Sequence, residues 1–193
     1  MRTQPTEAVV IGGSAGSLEA LGEIVSSLPA GFDLPVLVVI HVPPDRDSII
    51  PELIGGRTSL AVREARDTEP ILPGAIYFAP PDYHLLVESD RSLSLDYDLP
   101  HMFSRPSIDL LFESAADVFG SSLAGVVLSG ANADGAAGLR AIAAEGGVAL
   151  VQAPETAGSR EMPEAAMAAC EGAIVSPPVG IAKQLWRLQS NVG

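Results

Sequence analysis

Ala8-Val9-Val10-Ile11-Gly12-Gly13-Ser14-Ala15-Gly16-Ser17-Leu18-Glu19-Ala20-Leu21 is the stretch on which the reading of this chain turns. Four apolar residues make a short buried strand, three glycines around Ser14 make a sharp bend, and the residues from Ser17 onward suit a helix. Glycine lets the backbone turn without a Cβ clash, and the helix behind the bend aims its unpaired N–H groups back at it. Such a bend either holds an anion or presents a nucleophile, and Gly12, Ser14 and Gly16 have the spacing of a G-x-S-x-G elbow. The anion reading fits poorly. A dinucleotide fingerprint needs G-x-G-x-x-G, and here Ser14 stands where its second glycine should be. No G-x-x-x-x-G-K-[ST] occurs, and the single lysine, Lys183, is far along the chain.

Working outward, a helix over roughly Ser17 to Ser27 ends at Leu28-Pro29-Ala30-Gly31, and Pro35 to Ile40 is a second unbroken apolar strand that runs into His41. A helix follows with Asp47 or Ser48 as N-cap and Ile49, Ile50, Leu53 and Ile54 on its apolar side. Ala61-Val62 and Gly74 to Ala79 are further strands. His84 to Glu88 and Ser92 to Leu95, joined by Ser89-Asp90-Arg91, form a hairpin and so must be antiparallel. Asp98 to Arg105 is loop. Pro106 opens a helix as its first-turn proline, with Ser104 or Arg105 before it. Leu123 to Leu128 is a strand leading into Ser129-Gly130-Ala131-Asn132-Ala133-Asp134-Gly135, and a helix covers about Ala136 to Glu145. Val148 to Val151 and Ala173 to Val175 are strands, while helices run from Met162-Pro163 to Cys170 and from Val179 to Gln189.

This alternation predicts an α/β fold over residues 1–193 as one domain. It is a doubly wound, mainly parallel, Rossmann-like sheet with helices on both faces and a small antiparallel hairpin at one edge. Sites in such sheets form beyond the carboxyl ends of strands. Ser14, His41 and the Ser129–Asp134 loop each follow a strong strand directly.

Bulk properties narrow the function classes. The chain has 193 residues, 47% of them hydrophobic, enough for a sizeable core. Eleven basic against 24 acidic residues give a formal charge of −13, which argues against nucleic acid as a partner. No apolar run approaches the roughly 18–20 residues of a membrane span, and the first residues lack the pattern of a secretory signal. One cysteine, Cys170, allows neither an internal disulfide nor a thiolate metal cluster. The expectation is a soluble cytoplasmic protein with no metal and no cofactor.

A nucleophilic serine needs a base, and the base needs an orienting group. Histidines occur only at 41, 84 and 101. His84 lies in the hairpin and His101 in a loop, whereas His41 follows the strand next in sequence to the one leading into Ser14. For the acid, Asp134 stands out between a strand end and a helix start; it can equally cap the helix that follows it. Asp109 and Asp82 remain open. The order Ser, His, Asp is not that of an α/β-hydrolase, which also places strands ahead of its elbow.

Five segments together resemble the catalytic domain of the chemotaxis protein-glutamate methylesterases, the CheB type. They are Val9 to Leu21, Ile40-His41-Val-Pro-Pro44, Ile76-Tyr-Phe-Ala-Pro-Pro-Asp82-Tyr-His84, Arg105-Pro-Ser-Ile-Asp-Leu-Leu-Phe112 and Leu128-Ser-Gly-Ala-Asn-Ala-Asp134-Gly-Ala136. The likeness continues into Glu161-Met-Pro-Glu-Ala-Ala166. It implies a serine hydrolase that removes methyl groups from γ-glutamyl esters on chemoreceptor helices, releasing methanol, and that in some members deamidates receptor glutamines. Ser14 is then the nucleophile, His41 the general base and acid, and Asp134 the residue orienting His41, with backbone donors near Ala15 and Ala131 for the oxyanion.

The chain departs from the family pattern in three ways. Ala15 stands where members commonly carry Thr, Gly130-Ala131-Asn132 replaces a Gly-Met-Gly loop, and strand one begins too early for a receiver domain to precede it. The protein then works without phospho-control, or a separate regulatory protein supplies it, or the sequence is a piece of a longer chain. A non-catalytic binding or scaffold protein on the same fold, and an esterase for a non-receptor substrate, stay open as alternatives. Because receptor helices of such systems are usually acidic, Arg46, Arg105 and Arg140, close in sequence to the site motifs, are expected to line the approach.

Overall fold

The computed structural model describes residues 4–41, 49–101 and 104–190. Seven strands form one wholly parallel sheet in the order β3-β4-β2-β1-β7-β8-β9. They are β1 (Ala8–Gly13), β2 (Val36–Ile40), β3 (Ala61–Glu64), β4 (Ala75–Phe78), β7 (Leu123–Val127), β8 (Val148–Gln152) and β9 (Ile174–Ser176). The hairpin, β5 (His84–Val87) with β6 (Leu93–Asp96), forms a separate two-stranded antiparallel sheet. It is not hydrogen-bonded into the main sheet, and its apolar residues Leu85, Val87 and Leu93 join the core that also holds Leu111 and Phe112.

Among the described residues six α-helices complete the fold: α1 (Ser17–Ser27), α2 (Ile50–Gly55), α3 (Ile108–Phe119), α4 (Ala136–Ala144), α5 (Glu161–Ala169) and α6 (Pro178–Ser190). Strand side chains alternate between faces, so the unbroken apolar runs feed two cores at once. Ala8, Val10, Leu37, Val39 and Tyr77 pack with Leu111, Phe112, Leu139, Ile142 and Met162 on the face of α3, α4 and α5. Val9, Ile11, Val38 and Ile40 pack with Leu21, Ile24, Ile54, Ile181 and Leu185 on the face of α1, α2 and α6. β1, β2 and β7 are buried along their entire lengths, as strands covered on both sides must be.

The start of α3 differs from the sequence expectation. α3 begins at Ile108, with Ser107 as N-cap accepting from the Leu110 N–H. Pro106, expected in the first turn, therefore lies ahead of the helix, because Ser107, in extended backbone, caps its start with its hydroxyl. α2 starts after Ile49 with no side-chain cap. Asp47 and Ser48 lie outside the described residues.

β1 occupies the centre, with β2 on one side and β7 on the other. The chain leaves β1 toward β2 and later returns to β7, so the direction of winding reverses at β1, and this is where doubly wound sheets open a crevice. α3 crosses close over this point. A Cβ at Gly12 would collide with the Ile108 side chain, so the absence of a side chain there lets Ile108 seat against the strand. Gly12→Ala should therefore destabilise the fold by about 1–3 kcal/mol, the usual range for overpacking, read as a lower urea midpoint. Adding Ile108→Ala should cost less than it does in the native background, since removing the colliding side chain relieves the first change.

Candidate functional site

The carboxyl ends of β1, β2 and β7 are held level by backbone bonds that continue the sheet past its strands. His41 N–H donates to Gly13 O at 3.1 Å, Leu128 N–H to Gly12 O at 2.8 Å, and Ser14 N–H to Ser129 O at 2.8 Å. Ser14, His41 and the loop after β7 are thus fixed beside one another by main chain alone. Ser14 is half-buried and Ala15 and Gly16 are exposed. Gly16 has φ +78°, a left-handed conformation that starts α1 at little cost only for glycine. Ser17 then turns its hydroxyl back to Ser14 O at 2.6 Å.

His41 Nε2 lies 2.8 Å from Asp134 Oδ2. A carboxylate can only accept in that contact, so Nε2 carries the proton and Nδ1 is left as the free base. Among the described residues no hydrogen bond joins Ser14 Oγ to this imidazole.

Asp134 is fully buried and receives four donors. Oδ2 accepts from His41 and from Ile108 N–H at 2.8 Å; Oδ1 accepts from Asp109 N–H at 2.9 Å and from Ser107 Oγ at 3.1 Å. Burial pushes its pKa up, but the bonds from His41 and from the Ile108 and Asp109 amides outweigh that and hold it below the ordinary value. Asp134 stays ionised.

The alternative reading, that Asp134 caps the helix after it, is corrected by these bonds. Asp134 accepts from the first-turn amides of α3, while α4 has Gly135 at its N-cap with no side-chain cap. The free amides of α4 are met instead by Asp109, whose Oδ1 accepts from Gly135 N–H at 2.9 Å and Gly138 N–H at 2.7 Å. Each helix start is therefore closed by the aspartate belonging to the other, and negative charge sits where the helix dipoles favour it. Asp109 is the less favoured of the two. Burial, with the Asp134 charge beside it, raises its pKa despite the two glycine amides and the nearby His101, 3.8 Å from Oδ2.

The remaining candidates fall as follows. Asp82 binds the Arg105 guanidinium through Oδ1, at 3.0 Å from Nε and 2.6 Å from Nη2. Arg105 Nη1 donates to the Tyr97 and Asp98 carbonyls, and its guanidinium lies 3.9 Å from the Tyr97 ring centroid. Arg105 is thus engaged within the protein. Arg140 is exposed on α4. Arg46 lies outside the described residues. Ala131 is exposed, and neither its amide nor that of Ala15 has an acceptor among the described residues. No cluster of His, Cys, Asp and Glu able to hold a metal occurs among the described residues.

Sequence reasoning missed Ser107, Ser129 and Gln152. Ser129 Oγ donates to Ala15 O at 2.6 Å and accepts from Ser159 N–H at 2.8 Å, while its own amide donates to the buried Gln152 Oε1 at 2.9 Å. These bonds tie the elbow to the 156–160 segment. A serine directly after an apolar strand was the available signal for Ser129, and Gln152 at the end of β8 gave none.

A doubly wound parallel sheet with a Ser, His and buried Asp at adjoining strand ends defines a class of α/β proteins built for acyl-group hydrolysis. Comparison with known proteins makes this specific. The CheB methylesterase family profile matches residues 9–185. A Leptospira interrogans protein, provisionally named a protein-glutamate methylesterase/protein-glutamine glutaminase, is 41% identical over 185 residues, 96% of each chain. The protein-glutamate methylesterase/protein-glutamine glutaminase 2 of Methanospirillum hungatei is 37% identical over 94% of this chain, which spans 52% of that longer relative. The crystal structure of the Thermotoga maritima CheB methylesterase catalytic domain superposes with a TM-score of 0.89 at 29% identity, covering 96% of this chain and all of that one. The chain belongs to the CheB methylesterase family, an enzyme family of protein-glutamate methylesterases and glutaminases.

The two aspartates give opposite pH signatures. Asp134, with its pKa depressed on folding, contributes stability that is present above the ordinary value of 3.8 and lost as pH falls through its lower folded value. Asp109, with its pKa raised, costs stability when ionised, and that cost is relieved as pH falls through its folded value toward 3.8. In urea unfolding from about pH 7 to about pH 2, Asp134→Asn should flatten the loss of stability below 3.8. Asp109→Asn should remove the gain just above it. A native-like acid limb in Asp134→Asn would show that its carboxylate does not stabilise the fold.

Proposed function

We propose that this chain hydrolyses γ-glutamyl methyl esters on the cytoplasmic helices of methyl-accepting chemotaxis receptors. The same site would deamidate receptor glutamines, with ammonia leaving in place of methanol. The observation that carries this reading is the 2.8 Å bond from His41 Nε2 to a fully buried, ionised Asp134, beside Ser14 at the next strand end. Family membership supports the reaction, and the receptor substrate follows the known systems of that family.

In this reading the roles fall to the residues as follows. Nδ1 of His41 takes the proton from Ser14 Oγ as it attacks the γ-carbonyl carbon, and Asp134 stabilises the imidazolium that results. The carbonyl oxygen, now negative, lies at the start of α1, where the Ala15 amide has no acceptor among the described residues and the helix N-terminus favours an anion. The Ala131 amide is the second donor. Nδ1–H then gives its proton to the departing methoxide, methanol leaves, and a water attacks the acyl-serine by the reverse route. Ser14 Oγ and His41 draw into hydrogen-bonding distance as substrate binds, a common change on passing from the free enzyme to the complex.

Residues 1–193 act here as one catalytic unit in the cytoplasm. Of the three arginines expected to supply positive charge at the approach of an acidic receptor helix to a protein of charge −13, Arg46 lies outside the described residues, which leaves Arg105 and Arg140. Arg105 is already paired with Asp82, so the charge for such an approach rests on Arg140, exposed on α4 and without an ion-pair partner among the described residues.

Methanol release from methylated receptor in membranes is the direct assay. Ser14→Ala and His41→Ala should each lower it by roughly 10⁴–10⁶-fold, because members of such a unit fail together. Asp134→Asn should cost on the order of 10⁴-fold. A folded Ser14→Ala protein with undiminished turnover would sink the assignment. Absence of a fluorophosphonate adduct on native Ser14 would favour a binding role for the fold.

A further inference from the structure

We propose that His84 is a positioning residue for the Asp134 carboxylate, acting through Ser107; this rests on the reading of Asp134 as the partner of a reacting His41. His84 opens β5, in the hairpin outside the main sheet, and is fully buried. Its Nδ1 lies 3.1 Å from Ser107 N and its Nε2 3.3 Å from Leu99 O. An amide nitrogen only donates and a carbonyl oxygen only accepts, so the ring's tautomer is fixed: Nδ1 accepts and Nε2 carries the proton. A buried histidine with both nitrogens committed in this way is a connector, where an apolar side chain would have served for packing alone.

Ser107 is the next link. Its amide is held by His84, its hydroxyl donates to Asp134 Oδ1 at 3.1 Å, and the two amides that follow, Ile108 and Asp109, donate to Asp134 at 2.8 and 2.9 Å. Three of the four donors on Asp134 thus come from consecutive residues whose starting peptide is aimed by His84. The fourth is His41. A second tie, from Asp82 to Arg105, joins the same two segments two residues earlier. Residues 82–84 therefore grip residues 105–107 at two points, and the hairpin, remote from the reacting atoms, sets the angle at which Asp134 meets the imidazole.

The chemistry of the substitutions separates positioning from filling. Asn places an amide oxygen where Nδ1 stands and keeps the acceptor for Ser107; Gln reaches the Nε2 position and keeps only the outer donor to Leu99. Phe keeps volume and loses both.

Two readouts decide it. One is kcat and KM for methyl-ester hydrolysis; the other is the low-field proton NMR signal of the His41 Nε2–H bonded to Asp134, which needs no turnover. For folded H84F and H84Q we expect kcat to fall about 10–100-fold, KM to stay within about twofold, and the signal to broaden or vanish. H84N should restore most of both. A folded H84F with native kcat and signal overturns the proposal, and so does H84Q matching H84N; if H84F does not fold, the Asn and Gln pair still decides. Should Ser14→Ala keep full activity while H84Q loses the signal, the assignment of Ser14 as nucleophile fails and His84 stands as the residue that positions Asp134.

Discussion

Everything at the site hangs on one buried negative charge that is never left short of donors. Asp134 has no solvent exposure, and an isolated carboxylate in such a place would be neutralised. It stays ionised because two helix-start amides, a hydroxyl and an imidazole converge on its two oxygens. Removing one donor from a buried charged group typically costs more than an ordinary hydrogen bond. The network therefore either closes around the carboxylate or loses the charge, and this all-or-none character makes it a sound support for the histidine bonded to it.

The fold provides the convergence cheaply. β1, β2 and β7 are neighbours in the sheet although β7 follows β2 by more than eighty residues of chain, and their ends are levelled by main-chain bonds at Gly12, Gly13 and Ser14. α3 arrives over the same point because Gly12 offers no side chain to obstruct Ile108. The reversal of winding, the elbow and the helix start thus lie side by side, joined by main-chain bonds and the Gly12–Ile108 contact, and no long side chain is needed to bridge them. Rigid short links suit a site whose geometry must hold within fractions of an ångström.

How far this was legible in the sequence depended on whether a feature was local. The strands, being unbroken apolar runs, announce themselves, and so do the elbow glycines and the helix that follows them. Ser14 and His41 could be paired because each terminates such a run. Ser107 could not be placed: Pro106 offers a stronger local signal for a helix start, and only the tertiary contact with Asp134 and the hydroxyl cap reveals where the helix begins. Asp134 was recognisable as a residue of interest, but local logic assigned it to its own helix. The exchange of caps between α3 and α4 joins residues about twenty-five positions apart, and no periodicity or spacing encodes that. The hairpin was visible as a hairpin, whereas its packing into the core beside α3 depends on contacts between distant segments.

Because Asp134 closes the start of α3 and also faces His41, its two roles cannot be altered independently. Replacing it with asparagine leaves an oxygen for some of the amides and supplies a donor where His41 also donates, so helix start and imidazole are disturbed together. Asp109 is placed differently: its carboxylate serves α4, and it reaches Asp134 only through its amide and its charge. The pair divides a single problem, that of burying two helix starts against one another without orphaned amides. One aspartate answers to folding alone, and the other, through the same kind of bond, also holds the histidine. In this arrangement the site is an elaboration of a helix cap, and its stability and its chemistry draw on the same carboxylate.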